Sequence, residues 1–143
     1  GAVGAVNQYP LPCLIMDLGT ATKIMVLDEN GVFAGCTIAP GVGISLDALS
    51  MRTSQLPAIE LSAPEHAWGT NTIDCIKAGT VYGNAAMLDG MASRIEKELG
   101  KPIKTLVATG GLAKEIVACC EKEIIYNKDL VLQGLLIIYK KNR

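Results

Sequence analysis

Four short stretches of this chain stand out for the chemistry their residues could do, and the first two combine residue types suited to an anionic small molecule. The first, Asp17-Leu18-Gly19-Thr20-Ala21-Thr22, places a carboxylate, a glycine and two hydroxyls close together. A glycine in a turn lets backbone approach a ligand, and turn amides with threonine hydroxyls form a small anion-binding concavity. Asp17 would repel a phosphate set against it, so its work beside one is to hold a cation or a metal-bound water. The same residues also read as an ordinary hairpin whose threonines cap the turn. The second stretch, Thr109-Gly110-Gly111, follows a predicted strand and opens a predicted helix, where backbone N–H groups meet nucleotide phosphates. A tight strand-to-helix turn would need the same glycines. Neither stretch continues into Gly-Lys-Ser/Thr, which excludes a Walker loop, and neither is a dinucleotide fingerprint. The third, Ile38-Ala39-Pro40-Gly41, is a rigid exit from a strand. The fourth is Gly69-Thr70-Asn71-Thr72, in which Asn71 or Thr72 can cap a helix that has Asp74 at its positive end.

These stretches need elements to carry them. Cys13 to Leu18 is a continuous apolar run broken by Asp17, the pattern of a buried strand. A turn over Gly19 to Lys23 leads to a second strand, Lys23 to Asp28. The Asn30-Gly31 hairpin signal leads to a third, Val32 to Ala39. Ile44 to Met51 is predicted helical with Ser45 as a candidate cap, and Leu56 to Pro64 extended. A long helix runs from Thr72 to Leu99 and ends at Gly100, with Pro102 beyond. The expected order continues with a strand at Lys104 to Ala108, a helix at Leu112 to Lys122, a strand at Glu123 to Tyr126 and a helix at Asp129 to Tyr139. Three antiparallel strands followed by alternating helices and strands make a mixed α/β sheet. Gly1 to Gln8 reads as the end of a helix, stopped by Pro10 and Pro12.

Gly79, Gly83 and Gly90 lie inside the long helix, where each glycine costs about 1 kcal/mol relative to alanine. Close approach of another helix, and with it self-association, would offset that; packing against the sheet is the alternative. Ile73, Ile76, Met87 or Leu88, Met91, Ile95 and Leu99 recur at helical spacing as core or interface.

Composition narrows the function classes. In 143 residues, 50% are hydrophobic and 19% charged, against about 25% charged in an average domain, so the chain is not a disordered tail. A net charge of −1 argues against binding nucleic acid through phosphate neutralisation, and 4% aromatics argue against a stacking platform for single strands. The five cysteines show no Cys-x-x-Cys pair and there is a single histidine, His66, in a loop, so a zinc site is not expected. Reduced thiols in a cytoplasmic protein are the expectation. No basic region precedes an apolar run at the start, and no apolar stretch reaches the ~18 residues of a membrane span. The Lys140 to Arg143 end reads as a frayed tail.

Taken together the motifs resemble those of the type III pantothenate kinases. Asp17 to Thr22 resembles that family's Asp-Phe-Gly-Thr-Ala-Thr, and Ile38-Ala39-Pro40-Gly41 its Ile-x-Pro-Gly. Gly69 to Thr72 is similar to Gly-x-Asn-Thr, Thr109 to Ala113 to Thr-Gly-Gly-Leu-Ala, and Leu130 to Asn142 to a closing Leu-x-Leu-x-Gly-Leu helix. The resemblance implies a ribonuclease-H-like fold of the sugar-kinase, heat-shock-chaperone and actin superfamily, in which two such domains enclose ATP. It implies that residues 1–12 are the remnant of an inter-domain helix and 13–143 the carboxy-terminal domain. The amino-terminal phosphate loop and the general base would lie upstream of Gly1, and the chain alone would be inactive.

The resemblance further implies Mg²⁺ on the nucleotide and a monovalent cation, K⁺ or NH4⁺, at Asp17. Gly19, Thr20, Thr22, Gly110 and Gly111 would bind ATP, and Thr72 would reach pantothenate across a homodimer. Lys23 and Cys36 depart from the family pattern. Two further readings of the same residues are a non-catalytic dimerising module of this fold and a related kinase for another small hydroxyl substrate.

Overall fold

The computed structural model describes residues 8–52 and 60–130, together with Ala2, Ala5, Gln133, Gly134, Leu136 and Ile137. One sheet is built from β1 (Cys13–Leu18), β2 (Ala21–Leu27), β3 (Phe33–Pro40), β4 (Thr105–Thr109) and β5 (Ile125–Tyr126). Its helices are α1 (Val42–Arg52), α2 (Thr72–Leu99) and α3 (Ala113–Val117). Strand order is β3-β2-β1-β4-β5. The first three strands pair antiparallel, β4 runs parallel to β1, and β5 runs parallel to β4. This is the mixed α/β sheet that the sequence predicts, with the ribonuclease-H-like order that the family resemblance implies. Ala2, Ala5 and Gln8 are helical before β1, and Leu130, Gln133, Gly134, Leu136 and Ile137 after β5. The expected extended stretch at Leu56 to Pro64 falls in its first part outside the described residues, as does the Lys140 to Arg143 tail.

β1 is central, and its apolar run follows from burial on both faces. Leu14, Met16 and Leu18 join Ile24, Val26, Leu88 and Ile116 in one core cluster. Cys13 and Ile15 join Leu27, Val107, Ala5 and Leu130 in another on the opposite face. Each fully buried Leu or Ile contributes about 1.5–3 kcal/mol, so β1 anchors the domain. The hairpin after β2 is closed by Asp28, whose Oδ1 accepts the amides of Asn30 and Val32, each at 2.9 Å. Gly31 stands at φ +76° in that turn.

The ends of α2 match the sequence signals. Asn71 is the N-cap and its side chain accepts the Asp74 amide at 2.9 Å. Gly100 adopts the left-handed conformation at φ +69° and its amide bonds to Glu96. Along α2, Leu88 is buried, Met87, Met91, Ile95 and Leu99 pack against the core, and Ile73 is exposed. Packing of the helix glycines on the sheet does not occur: a Cβ on Gly79, Gly83 or Gly90 would meet nothing within 4 Å.

Two helical expectations need correction. Ser45 does not cap α1, which begins at Val42; the Ser45 hydroxyl instead donates to the Gly41 carbonyl at 2.9 Å inside the helix. The helix expected over Leu112 to Lys122 is only Ala113–Val117. Asp89 of α2 accepts the amides of Glu121 at 2.8 Å and Lys122 at 3.1 Å. That capture from a distant element holds the chain after Cys120 out of a helical path.

Candidate functional site

The carboxyl ends of β1, β3 and β4 share one edge of the sheet, the place where open α/β sheets receive ligands. The Gly19-Thr20 turn leaves β1 there and is gripped by bare backbone from two sides. A Cβ on Gly41 would run into the Thr20 carbonyl oxygen and stand 2.9 Å from the Gly19 oxygen. Gly110 adopts φ +114°, a conformation that favours glycine, and a Cβ there would stand 2.5 Å from the Leu18 carbonyl oxygen. Pro40-Gly41 and Thr109-Gly110 are thus the close-packed supports of one turn. The three motifs, separate in sequence, form one feature.

A cavity of about 380 Å³ opens beside the turn, lined by Leu18, Gly19, Thr20, Gly43, Ile44, Asp47, Gly111 and Leu112. Gly19, Thr20 and Gly111 are exposed there, so their amides and the Thr20 hydroxyl can meet an anion. Because α3 has only five residues, an anion placed here would meet loop amides rather than a helix dipole. Asp47 escaped the sequence reading. Its signal was helical spacing: Gly43, Ile44 and Asp47 share one face of α1 directly after Pro40-Gly41.

Thr22 and Thr72 are not brought to this cavity. Thr22 pairs with Leu18 across the hairpin, so its side chain faces the core side with Ile24 and is 1% exposed. Its hydroxyl has no hydrogen-bond partner among the described residues. Thr72 is exposed on the first turn of α2.

Asp17 stands in register with Lys23 on β2 and Thr109 on β4. Its Oδ1 lies 3.4 Å from where a Gly19 Cβ would stand, at the root of the turn. No hydrogen bond or ion pair from the described residues reaches that carboxylate. An unpartnered carboxylate fits a positively charged neighbour. Among the described residues no three His, Cys, Asp or Glu side chains are grouped to hold a metal.

The cysteines lie apart from this chemistry. Burial pushes the Cys13 thiol up to about 11. Burial, with Asp89 and Cys119 nearby, pushes Cys120 up to about 12. Neither is a thiolate near neutral pH, so neither is a nucleophile. His66 stacks on Trp68 in an exposed loop, centroids 4.5 Å apart, and neither lines the cavity. Among the described residues no helix is long and apolar enough to cross a membrane.

Sheet topology and the gripped turn define an α/β domain of the ribonuclease-H-like class with exposed backbone amides at the carboxyl edge of its sheet. The chain belongs to the type III pantothenate kinase family, whose model matches residues 1–94. It is 42% identical over 141 residues to a type III pantothenate kinase of Halalkalibacterium halodurans, covering 99% of this chain and 55% of that one. It is 44% identical over 138 residues to that of Desulforapulum autotrophicum, covering 96% of this chain and 52% of that one. The chain therefore spans about half the length of the curated relatives it matches. Among solved structures, a Campylobacter jejuni protein described as a Baf family transcriptional activator shares the fold, with TM-score 0.64 and 21% identity over 98% of this chain and 62% of that one.

Proposed function

We propose that this chain is the carboxy-terminal, phosphate-holding domain of a cytoplasmic kinase that transfers the γ-phosphoryl group of ATP to the primary hydroxyl of pantothenate. The product, 4′-phosphopantothenate, opens coenzyme A biosynthesis. The observation that carries this reading is the Gly19-Thr20 turn gripped by Gly41 and Gly110 beside a cavity, in a chain of this family. On this reading residues 1–12 close an inter-domain helix and 13–143 form the domain.

Phosphoryl transfer rests on positioning and charge neutralisation. The amides of Gly19 and Gly111 and the Thr20 hydroxyl orient phosphate oxygens. Asp17 holds a positive charge beside them, for which a monovalent cation, potassium or ammonium, is one source. Mg²⁺, when bound on the nucleotide, would neutralise developing phosphate charge, and Asp47, which lines the cavity, is the carboxylate placed to steady it. The proton of the acceptor hydroxyl goes to a carboxylate upstream of Gly1. Thr72 contacts pantothenate in the partner's site of a homodimer, which its exposure and its distance from the cavity of its own chain support. Ile44, Leu49 and Ile73, each at least 40% exposed, offer apolar surface for such a dimer.

A coupled assay of ADP release tests the proposal. The 143-residue chain alone should give no pantothenate-dependent turnover, and the chain joined to an upstream half from a family member should give it. Turnover by the 143 residues alone would refute the half-enzyme assignment. Turnover of the joined protein with another hydroxyl acceptor but not pantothenate would refute the substrate.

A further inference from the structure

The row across the sheet at the root of the turn reads Ile38, Lys23, Asp17, Thr109, from β3 through β2 and β1 to β4. Lys23 is the only cation in it. Directly paired residues of an antiparallel ladder point to the same face with Cβ atoms about 4.5–5.5 Å apart. The lysine's flexible four-carbon stem therefore carries its ammonium within reach of the Asp17 carboxylate. Lys23 is exposed and Asp17 half-buried. Neither side chain has a hydrogen bond or ion pair to another described residue.

We propose that Lys23 supplies from within the chain the positive charge that Asp17 holds beside the phosphates. This rests on the reading that phosphate binds at the Gly19-Thr20 turn. A bare carboxylate at the root of that turn opposes an incoming polyphosphate. With three donors and no acceptor, the Lys23 ammonium can bond the Asp17 carboxylate and present its remaining hydrogens to a phosphate oxygen. Lys23 thus bonds Asp17 and the phosphate at once, a tethered counterpart of a free ammonium ion. Nucleotide affinity should then depend little on added potassium.

The test is ATP binding by the chain joined to an upstream half from a family member, read by titration calorimetry at constant ionic strength in potassium chloride or in choline chloride, whose bulky cation cannot enter a carboxylate site. The joined wild-type protein should bind equally in both salts. Lys23→Met should weaken binding about tenfold in choline, the scale of one charge-assisted contact. Potassium or ammonium should restore most of it. Lys23→Arg should stay near wild type in both salts. Rescue by a free cation would not follow from a purely structural role. A Lys23→Met affinity unchanged in choline, or a wild type that itself requires potassium, would overturn the proposal while leaving the phosphate site standing. Failure of the wild type to bind ATP in either salt would overturn the phosphate site and this proposal with it.

Discussion

The α-carbon of Gly41 lies against the carbonyl group of Thr20, so close that a methyl group would overlap its oxygen. The obstacle is backbone, which cannot swing aside as a side-chain end could. Gly41→Ala must displace the Gly19-Thr20 turn. Overpacking of this kind costs about 1–3 kcal/mol. Thermal unfolding should show that loss, and ATP affinity should fall more than the stability change accounts for. Gly43→Ala is the control: its Cβ meets nothing within 4 Å in α1, and unfolding should occur at the wild-type temperature or above.

The start of α2 gives a second test. Asn71 accepts the Asp74 amide at 2.9 Å and donates from Nδ2 to the Asp74 carboxylate at 3.0 Å. Asn71→Ala leaves that amide without its partner and should cost about 1 kcal/mol. Asn71→Asp keeps the acceptor but sets two carboxylates together, so it should fall between wild type and alanine. The urea midpoint reads both, with an unchanged slope if only native stability has altered.

The features legible in the sequence are those whose cause is local. Asn71 and Gly100 bound α2 because a side-chain acceptor and a left-handed glycine act within one turn of the helix. Asp17 to Thr22, Pro40-Gly41 and Thr109 to Gly111 could be read as candidate turns for the same reason. What long-range contacts decide stayed hidden. Asp89 captures the amides of Glu121 and Lys122 and shortens α3. Pairing with Leu18 turns Thr22 into the core, although two residues earlier Thr20 faces the cavity. Asp47 joins the site only because α1 folds back over the turn.

The buried thiols make stability sensitive to alkali. Cys13 and Cys120 hold their protons up to about 11 and about 12, above the ordinary 9.0 of an unfolded chain. The folded state binds these protons more tightly than the unfolded state. The associated stability is therefore whole below about pH 9 and is lost as pH rises towards 11 and 12. The melting temperature should decline over that window, with a shallower decline in Cys120→Ala. Alkylation at pH 8 should mark the exposed Cys36 and Cys75 first and leave Cys13 and Cys120 unmodified until the chain unfolds.

Gly79 separates the stability of one chain from the association of two. It is exposed in the first half of α2, and an added Cβ would touch none of the described residues. Gly79→Ala should therefore raise the stability of the monomer by about 1 kcal/mol, the difference in helix propensity. If the glycine is there to let a second copy approach, the same methyl group stands between two helices. The variant should then dissociate at higher concentration than wild type in sedimentation velocity while unfolding at higher temperature when dilute. Gly90→Ala, farther along the helix and equally open within the chain, should bring the thermal gain without the loss of association. An unaltered dimer in Gly79→Ala would mean that the partner helix does not pack over this glycine, and the interface would then centre on Ile44 and Leu49 of α1.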